Sequence, residues 1–516
     1  MRKHFNTTGP CLPNEHYMLP PLPRVKAAME LVEDGKYFVL HAPRQSGKTT
    51  SLLAMRDELN RQGEVYAVYC SMETAAEVGD TGRVMAIVIS ALREAFLYDL
   101  GKEMSVPVGE LPPEQQLQQF LSVSCRSLDK PLVLLLDEVD GLVDGPLLSL
   151  LRQLRLGYIQ RGTRPFPVSV ALVGMRNIRD YRVRLRPEQE SLGTASPFNV
   201  VAKYLSLDSF TLEQVTELYA QHTAATGQRF AAGVAARVFH WTNGQPWLVN
   251  AIANECVDEI CGRDYTREVT ETMVDEAAYA IILRRDVHID SLLARLAEPR
   301  VQRILQPVIL GENLPVGDFD NDLSFVLDLG LLRRDPGTKR LLPANRMYAE
   351  VFLRTLSSPF QERALTSVPS PPWARADGLD MDGLLRGFQA FWRENSEICT
   401  REMTRYPEAL PQLVLMGFLQ RVLNGGGRIV REYALGLRRI DLLVEYRGGR
   451  YPIELKVKGN GTREEAVAQL LDYMEKCGQA DGWLVVFDRD ASRPWQDRLT
   501  WEELERDGRR IRIVGA

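Results

Sequence analysis

A short loop between an apolar run and an amphipathic run places the strongest restriction on the fold of this chain. The apolar run YFVLH covers residues 37–41, the loop APRQSGKT covers 42–49, and the periodic stretch that follows ends at Gly63. An apolar run without polar alternation is typical of a strand buried on both faces, and a glycine after a periodic stretch marks a helix end. The order strand, loop, helix predicts a βα unit, which requires a parallel sheet covered by helices.

The same alternation of strand-like and helix-like patterns continues over the N-terminal part of the chain. Apolar runs recur at 65–72, 131–137 and 167–174, and a long helical pattern lies at 83–100. We therefore predict an α/β fold with a central parallel sheet over residues 1–205.

Beyond this region the pattern changes, and four further segments are predicted. Residues 206–286 are helical, and 287–357 combine helices with two strands around a DPGT turn, as in a winged helix. Residues 358–380 form a Pro-rich linker, and 381–516 are long enough for a separate α/β domain. A chain of 516 residues is too long for one core, so a multidomain α/β protein is predicted.

Composition excludes several classes of protein. The net charge of −5 argues against a protein coated with basic residues, although a local basic groove is compatible with it. The seven cysteines include no CxxC pair, which fits reduced thiols in a cytoplasm. The sequence shows no signal peptide and no apolar run of about 20 residues, so we expect a cytoplasmic protein without membrane contact.

The loop at 42–49 matches the phosphate-binding pattern GxxxxGK[ST], with Ala42 in place of the first glycine. In that pattern backbone N–H groups surround the β-phosphate, the lysine reaches the β/γ oxygens and the hydroxyl binds Mg²⁺. Lys48 and Thr49 supply these groups at a helix N-terminus, which favours anions. A chance GKT in a surface loop is the alternative. The predicted nucleotide-binding residues of the loop are Pro43, Gln45, Ser46, Gly47, Lys48, Thr49 and Thr50.

An acidic pair supplies the second part of the same site. Asp137 and Glu138 end the apolar run LVLLLDE, at the carboxyl edge of a predicted strand. Asp137 would hold Mg²⁺ together with Thr49, and Glu138 would orient and deprotonate the attacking water. Two acids that cap a strand would not explain this order and spacing after a GKT loop. We therefore predict binding of ATP and Mg²⁺, with Glu138 as the catalytic residue of hydrolysis.

Hydrolysis also requires a cationic partner for the γ-phosphate. Arg176 follows the strand pattern VALVGM and is predicted to bind nucleotide at the same sheet edge, with a solvated arginine as the alternative. Arg152, Arg155 and Arg161 are weaker candidates, as arginine fingers supplied in trans by a homo-oligomer.

Four motifs together resemble the AAA+/STAND group of P-loop ATPases: GKTT, LLLDEVD, a strand ending in GMRN, and TNGQPWLVN in the helical segment. The resemblance covers about residues 5–356, including the winged-helix segment. It implies that 206–286 form a helical lid, in which Gly244, Gln245 and Pro246 pack near the adenine. It also implies a switch protein whose domain arrangement changes with the nucleotide state.

A second candidate site lies in the hairpin-like stretch RRIDLLVEYRGGRYPIELKVKG at 438–459. Strand periodicity puts Glu454 and Lys456 on one face, and Asp441 lies on the partner strand across a Gly-Gly turn. Two carboxylates can hold one or two Mg²⁺ ions against a phosphodiester, and a lysine can orient water or stabilise the developing charge. An ordinary hairpin with a solvated Glu-Lys pair remains the alternative, because the spacing alone is a weak signal.

The flanking patterns favour the catalytic alternative. A helix from near Glu408, a strand carrying Glu432, the hairpin, a helix with Gln469 and the strand DGWLVVFDR follow in that order. Residues 383–489 thereby resemble the PD-(D/E)XK nuclease superfamily in the form fused to AAA-like ATPases, with Ile440 where the motif has proline. The resemblance implies Mg²⁺ or Mn²⁺ at this site, with Glu408 or Glu432 as a further contact. Its implied metal ligands are Asp441 and Glu454, and its implied catalytic residues are Asp441, Glu454, Lys456 and Gln469.

The two sites lead to one hypothesis and two rivals. In the main hypothesis, ATP sets the arrangement of the lid and the winged helix, and that arrangement controls a Mg²⁺-dependent nuclease acting on DNA. A role in defence against foreign DNA is suggested by analogy alone. Residues 381–516 hold 22 Lys and Arg against 21 Asp and Glu, a small excess for a DNA-binding domain. The rivals are an ATP-dependent regulator or scaffold that binds nucleic acid or protein through an inactive nuclease fold, and a DNA-repair or recombination ATPase.

Overall fold

The structure is a computed structural model in which the chain forms two compact units. The first consists of Met1–Ser291, Val316–Arg333 and Ala344–Met347, and the second of Leu292–Pro315, Arg334–Pro343 and Tyr348–Ala516. The residues described are 2–142, 144–174, 200–284, 287–296, 298–309, 320–352, 355, 373–375, 378–402, 414–419, 427–432, 441–458, 462–488 and 493–516.

The first unit contains a five-stranded sheet in the order β2-β3-β4-β1-β5, in which every neighbouring pair is parallel. Its strands are β1 (Tyr37–His41), β2 (Tyr66–Ser71), β3 (Leu132–Asp137), β4 (Ser169–Gly174) and β5 (Val201–Ser206). The helices around it are α1 (Lys26–Glu33), α2 (Lys48–Gln62), α3 (Thr81–Leu100), α4 (Pro113–Ser127) and α5 (Asp144–Gln160). The predicted α/β core with a parallel sheet is confirmed.

Burial explains why these runs form the centre of the sheet. All six residues of β3 and all six of β4 are buried, as expected for strands covered on both faces. One hydrophobic cluster joins Leu134 and Leu136 to α3, α4 and α5, and another joins Val133 and Leu135 to α1 and α2. Helices on both faces leave the carboxyl edge of the sheet open for the loops that carry polar residues.

The segment that follows the sheet is helical, as predicted. Its helices are α6 (Leu212–Thr226), α7 (Val234–Thr242), α8 (Pro246–Asn254) and α9 (Glu271–Arg284), with a short π-helix at Glu255–Ile260. Thr211 and Gln214 form a capping box at the start of α6, and a glycine with positive φ, Gly227, ends it.

The described residues of the segment predicted as a winged helix form helices and two short strands. They include α10 (Val287–Leu296), α11 (Pro299–Ile309), α12 (Asn321–Asp328), β6 (Leu332–Arg334) and β7 (Leu341–Pro343), and residues 346–352 are also helical. The N–H of Asp335 donates to the carbonyl of Arg340, which closes the turn at the predicted DPGT sequence. The assignment as a winged helix stays a prediction.

The second unit contains a six-stranded sheet in the order β10-β11-β12-β13-β15-β14. Its strands are β10 (Gly427–Glu432), β11 (Asp441–Tyr446), β12 (Gly449–Val457), β13 (Asp481–Phe487), β14 (Trp501–Arg506) and β15 (Arg509–Gly515). The pairs β12·β13 and β13·β15 are parallel, and the other three pairs are antiparallel. The remaining elements are the two-stranded β8 (Ala374–Arg375) and β9 (Gly378–Leu379), and the helices α13 (Met381–Glu402), α14 (Arg463–Cys477) and α15 (Trp495–Arg498).

Helices cover both faces of this sheet. Trp483 in β13 donates through its indole N–H to Asp382 in α13, while Leu484 belongs to a cluster with Ala466 and Leu470 of α14. The predicted order of three strands, helix and strand is present, and β14 and β15 extend the sheet further. Of the helix predicted from near Glu408, residues 414–419 are described and helical. None of the described helices is long and apolar enough to cross a membrane.

Candidate functional site

The loop between β1 and α2 has the backbone that phosphate binding requires. Gly47 lies directly before α2 with φ +87°, and Gln45 has φ +58°. A Cβ at Gly47 would lie 3.0 Å from Nη1 of Arg24. The positive φ and this close approach both favour glycine, because an L side chain would be strained and crowded there.

Lys48 is folded back onto its own loop. Its Nζ donates to the carbonyl of Ala42 at 2.8 Å and to that of Pro43 at 2.9 Å. Burial lowers the pKa of the Lys48 ammonium, and the nearby Asp137 carboxylate opposes this effect. The ammonium is thus held at the mouth of the loop, where β/γ oxygens bind in this motif.

Thr49 and Asp137, predicted as the Mg²⁺ pair, meet at the carboxyl edge of the sheet. The Thr49 hydroxyl donates to Asp137 Oδ2 at 2.7 Å, and the carboxylate is almost fully buried. Tyr69 of β2, which the sequence analysis missed, donates through its phenol to the same oxygen at 3.2 Å. A hydroxyl beside a carboxylate is the oxygen donor set that Mg²⁺ prefers, so these residues fit the ion.

Glu138 has the environment of a proton acceptor. It has φ +55°, and its N–H donates to Asp137 Oδ1 at 2.9 Å. Partial burial raises the pKa of the Glu138 carboxyl, and the neighbouring Asp137 raises it further. A carboxylate with a raised pKa accepts a proton more readily, which suits a general base.

The helical segment contacts the phosphate loop through Gln245. The side-chain Nε2 of Gln245 donates to the carbonyl of Gln45 at 3.3 Å, and its Oε1 accepts from the N–H of Leu248 at 2.6 Å. Gly244, with φ +73°, would place a Cβ 1.8 Å from the carbonyl oxygen of Phe210. Pro246 is buried at the start of α8, directly after Gln245. The structure thus places the predicted Gly-x-Pro sequence on the phosphate loop, while adenine contact by Pro246 stays a prediction.

His288 reaches the same loop from α10. Its Nδ1 is hydrogen-bonded to Oε1 of Gln45, and its ring stacks on Trp247 with 4.7 Å between centroids. Burial, with a smaller effect from Arg44, lowers the pKa of His288 to about 3, so the imidazole is neutral at pH 7.

A third contact with this region comes from the end of α12 and the turn that follows it. His41 Nδ1 lies 3.8 Å from Asp328 Oδ1, and a Cβ at Gly330 would lie 2.2 Å from Cγ of Pro43. Gly330 has φ +68°, so both the backbone and the packing call for glycine. His41 and Pro43 therefore lie against residues almost 290 positions further along the chain.

Arg24 is a further residue that the sequence analysis missed. Its Nη2 donates to the carbonyl of Ser46 at 3.1 Å and to that of Asp208 at 2.5 Å, and its guanidinium lies over the ring of Phe210. Burial lowers the pKa of Arg24 to about 10. Its partners are distant in sequence, so no local pattern could have identified it.

The candidate arginine partners divide into three cases. Arg176 lies outside the described residues. Arg161 is tied to its own chain, because its Nη1 donates to the carbonyl of Gly35 at 3.1 Å. Arg152 is exposed and Arg155 is half-buried on α5, and their action in trans stays a prediction.

In the second unit, Glu454 and Lys456 are buried on one face of β12. Their side chains have exposed fractions of 1% and 6%. They lie opposite Leu484 and Val486 of β13, on the face covered by α14. The alternative of a solvated Glu-Lys pair is therefore wrong. Lys456 Nζ donates to the carbonyl of Thr462, the N-cap of α14, at 2.8 Å.

The other predicted residues of this site are placed less completely. The backbone of Asp441 pairs with that of Glu432, and its neighbour Leu442 pairs with Ile453. The side chains of Asp441 and Glu432, and all of Glu408, lie outside the described parts of the chain. Gln469 is exposed on α14. Among the side chains that the structure describes, which do not include that of Asp441, no cluster of three or more His, Cys, Asp or Glu is suited to a metal.

Comparison with known proteins adds one family match. Residues 32–181 match the family described as AAA domain. No curated protein sequence matches the chain. Similar solved structures include the Walker-type ATPase paby2304 of Pyrococcus abyssi, with 14% identity over 67% of this chain and 99% of that one and a TM-score of 0.48.

Two further structures have lower scores. Cdc6p from Pyrobaculum aerophilum is 12% identical over 66% of this chain and 95% of its own, with a TM-score of 0.37. The RuvB Holliday junction branch migration motor of Thermotoga maritima is 15% identical over 64% and 92%, with a TM-score of 0.33. The family match and the geometry of Lys48, Thr49 and Asp137 agree, since AAA domains bind nucleotide and usually Mg²⁺. The chain therefore contains an AAA-type P-loop ATPase domain.

Proposed function

We propose that this protein hydrolyses ATP at the phosphate loop. The observation that carries the proposal is the Thr49 hydroxyl 2.7 Å from Asp137, with Glu138 directly beside it. Bound Mg²⁺ would supply positive charge that neutralises the phosphates of ATP. The residues that would hold the ion are Thr49 and Asp137.

The chain's own groups divide the remaining work. The loop N–H groups and the Lys48 ammonium bind the phosphates, and displacement of Lys48 from the Ala42 and Pro43 carbonyls frees it to do so. Glu138 orients a water molecule and takes its proton at a carboxylate oxygen, and its raised pKa makes it a better acceptor.

Single substitutions test this proposal. Lys48→Ala should abolish nucleotide binding, while Glu138→Gln should keep binding and lower kcat by about 100-fold or more, because only the proton acceptor is lost. Lys26→Ala, which removes a highly exposed lysine in α1, is the control and should leave both measurements unchanged. Hydrolysis that survives in Glu138→Gln at the wild-type rate would exclude Glu138 as the base.

We further propose that the second unit is a Mg²⁺- or Mn²⁺-dependent nuclease acting on DNA, controlled by the nucleotide state. The burial of Glu454 and Lys456 supports this proposal. Removing a carboxylate and an ammonium from water costs several kcal/mol unless partners or function compensate for it. With Asp441 as the second carboxylate, Glu454 would hold the metal and Lys456 would orient the attacking water, and Gln469 would assist from α14.

One contact favours the rival proposal of a scaffold with an inactive nuclease fold. Lys456 Nζ is hydrogen-bonded to the carbonyl of Thr462, so the ammonium helps to hold the turn before α14. In that case Lys456 stabilises the fold, and the domain binds nucleic acid or protein without cutting it.

Cleavage assays separate these proposals. The protein is incubated with plasmid, single-stranded DNA and RNA, with Mg²⁺ or Mn²⁺ and with or without ATP. The nuclease proposal expects metal-dependent cleavage of DNA that is lost in Lys456→Ala and Glu454→Gln and kept in Arg506→Ala, an exposed control on β14. Tight ATP binding without cleavage of any substrate would favour the scaffold, and cleavage by Lys48→Ala at the wild-type rate would show that the two sites are uncoupled.

A further inference from the structure

A cavity of about 350 Å³ lies at the carboxyl ends of the three parallel strands of the second unit. Lys456 and Lys458 border it at the end of β12, Asp488 borders it directly after β13, and Gly515 ends β15. In sheets with parallel strands, ligands bind outside the carboxyl ends. The position of the cavity therefore fits a ligand site.

Cations dominate the described lining of this cavity, which we call the basic cavity. Three carboxylates, those of Asp488, Asp497 and Glu502, contribute negative charge. Five cationic side chains outnumber them, and the formal surplus is two positive charges. The cations are Lys456, Lys458, Arg463, Arg493 and Arg498.

The ion pairs inside the basic cavity do not cancel this surplus. Asp488 is shared by two cations: Lys458 Nζ lies 2.8 Å from its Oδ2, and Arg493 bonds to the same oxygen. Arg463 pairs with Glu502 at 2.6 Å. Arg498 lies over the ring of Trp495, 3.7 Å from its centroid, and its Nε makes no hydrogen bond to any residue in the described part of the chain.

The architecture around the cations also favours an anion. Arg463 and Ala466, from the first turn of the 15-residue helix α14, line the basic cavity. The N-terminal end of a helix carries a partial positive charge that stabilises anions. Lys456, the most buried of the five cations, contributes its charge at low exposure, where electrostatic attraction is strong.

We propose that the basic cavity binds the terminal phosphate of a nucleic-acid strand. A phosphate monoester carries a charge of about −1.5 to −2 at pH 7, which matches the surplus of two positive charges. An internal phosphodiester carries one negative charge and would leave part of the surplus unneutralised. Arginine presents paired N–H donors that suit phosphate oxygens. This inference rests on the proposed nuclease function, because Lys456 belongs both to the candidate catalytic site and to the basic cavity.

The consequence is a nuclease that works from strand ends. A terminal phosphate in the basic cavity would place the neighbouring phosphodiesters of that strand close to Lys456. Linear substrates with phosphorylated ends would then be bound and cut in preference to closed circles.

Binding measurements without divalent metal test the basic cavity separately from cleavage. Fluorescence anisotropy of the full-length protein is measured with oligonucleotides that carry a 5′-phosphate, a 3′-phosphate or two hydroxyl ends. One phosphorylated form should bind about tenfold or more tightly than the hydroxyl form, because charged hydrogen bonds are gained. Arg498→Gln and Arg493→Gln should each remove the preference for the phosphorylated end. The control Arg506→Gln changes an exposed residue of β14 and should keep that preference. Circular dichroism checks that each variant is folded.

Three results would overturn the inference. The first is equal binding of phosphorylated and hydroxyl ends by the wild type. The second is a preference for the phosphorylated end that persists in the Arg493→Gln/Arg498→Gln double variant. The third is competition for binding by inorganic phosphate or AMP that is as strong as competition by the phosphorylated oligonucleotide. The last result would assign the basic cavity to free phosphate compounds. An end preference with no cleavage under any condition would refute the nuclease and still support the basic cavity as a strand-end site.

Discussion

The buried His288 predicts a loss of stability in mild acid. Its imidazole is neutral, stacked on Trp247 and hydrogen-bonded to Gln45. Burial lowers the pKa of His288 from 6.5 to about 3. Between these values the unfolded chain binds a proton that the folded chain does not, so the free energy of unfolding falls as the pH falls below about 6.5 and is fully retained above it.

The size of the effect follows from the two pKa values. At about pH 5 the unfolded imidazole is almost fully protonated and the folded one is not, which corresponds to about 2 kcal/mol of lost stability from this residue. At about pH 3 the loss is about 4 kcal/mol. Other groups titrate over the same range, so the contribution of His288 is obtained from the difference between wild type and a variant without the imidazole.

His288→Phe is the appropriate variant because a phenyl ring retains the stacking on Trp247. Urea denaturation of both proteins at about pH 8 and about pH 5 should show a smaller loss of stability in the variant, by about 2 kcal/mol. His4→Phe, which removes an exposed imidazole, should behave like the wild type. Equal pH dependence in wild type and His288→Phe would refute the assignment of a buried neutral imidazole.

Three further substitutions test the contacts around the phosphate loop. In thermal denaturation, Gly244→Ala should destabilise the fold by about 2–4 kcal/mol, because its Cβ would meet the Phe210 carbonyl. Gly262→Ala is the control: Gly262 has a similar φ of +62° but no atom within 4 Å of the added Cβ, so the substitution should cost about 1–2 kcal/mol. Tyr69→Phe removes one donor to Asp137 and should lower stability by about 0.5–1.5 kcal/mol in urea denaturation, with nucleotide binding retained. Arg24→Met should cost about 1.5–3 kcal/mol of stability, because the Ser46 carbonyl loses a charged hydrogen-bond donor. The same variant should bind ATP more weakly in a fluorescence titration. Unchanged binding would show that the loop holds its shape without Arg24.

The sequence was most informative where the chemistry is local. The phosphate loop and the acidic pair lie at the ends of apolar runs, and the alternation of strands and helices predicts that Thr49 and Asp137 meet. Arg24, Tyr69 and His288 could not be found this way. Each reaches the site from another element, and no spacing along the chain encodes such contacts. Their side chains alone would be read as a solvated arginine, a strand tyrosine and a helix histidine.

The second unit shows the same division between local and long-range information. Period-two alternation predicted that Glu454 and Lys456 share one face of their strand, and both side chains are buried in the structure. The strand β14, WEELER, consists mainly of good helix formers and is a strand because it pairs with β15. It lies at the edge of the sheet, where its Glu residues discourage pairing with another chain.

The contacts of residues 41–45 suggest how ATP could act as a switch. This stretch joins the end of β1 to the phosphate loop. Gln245 and His288 contact Gln45, while Asp328 lies near His41 and Gly330 lies against Pro43. A nucleotide that draws Lys48 away from the Ala42 and Pro43 carbonyls changes the loop that these residues pack against. Coupling requires such an element with two arrangements that the ligand biases. Gly330→Ala would force a Cβ into Pro43 and leaves Lys48, Thr49 and Asp137 chemically intact. The substitution should therefore change the affinity for ATP. An ATP affinity equal to that of the wild type would exclude the contact between Gly330 and Pro43 as part of the switch.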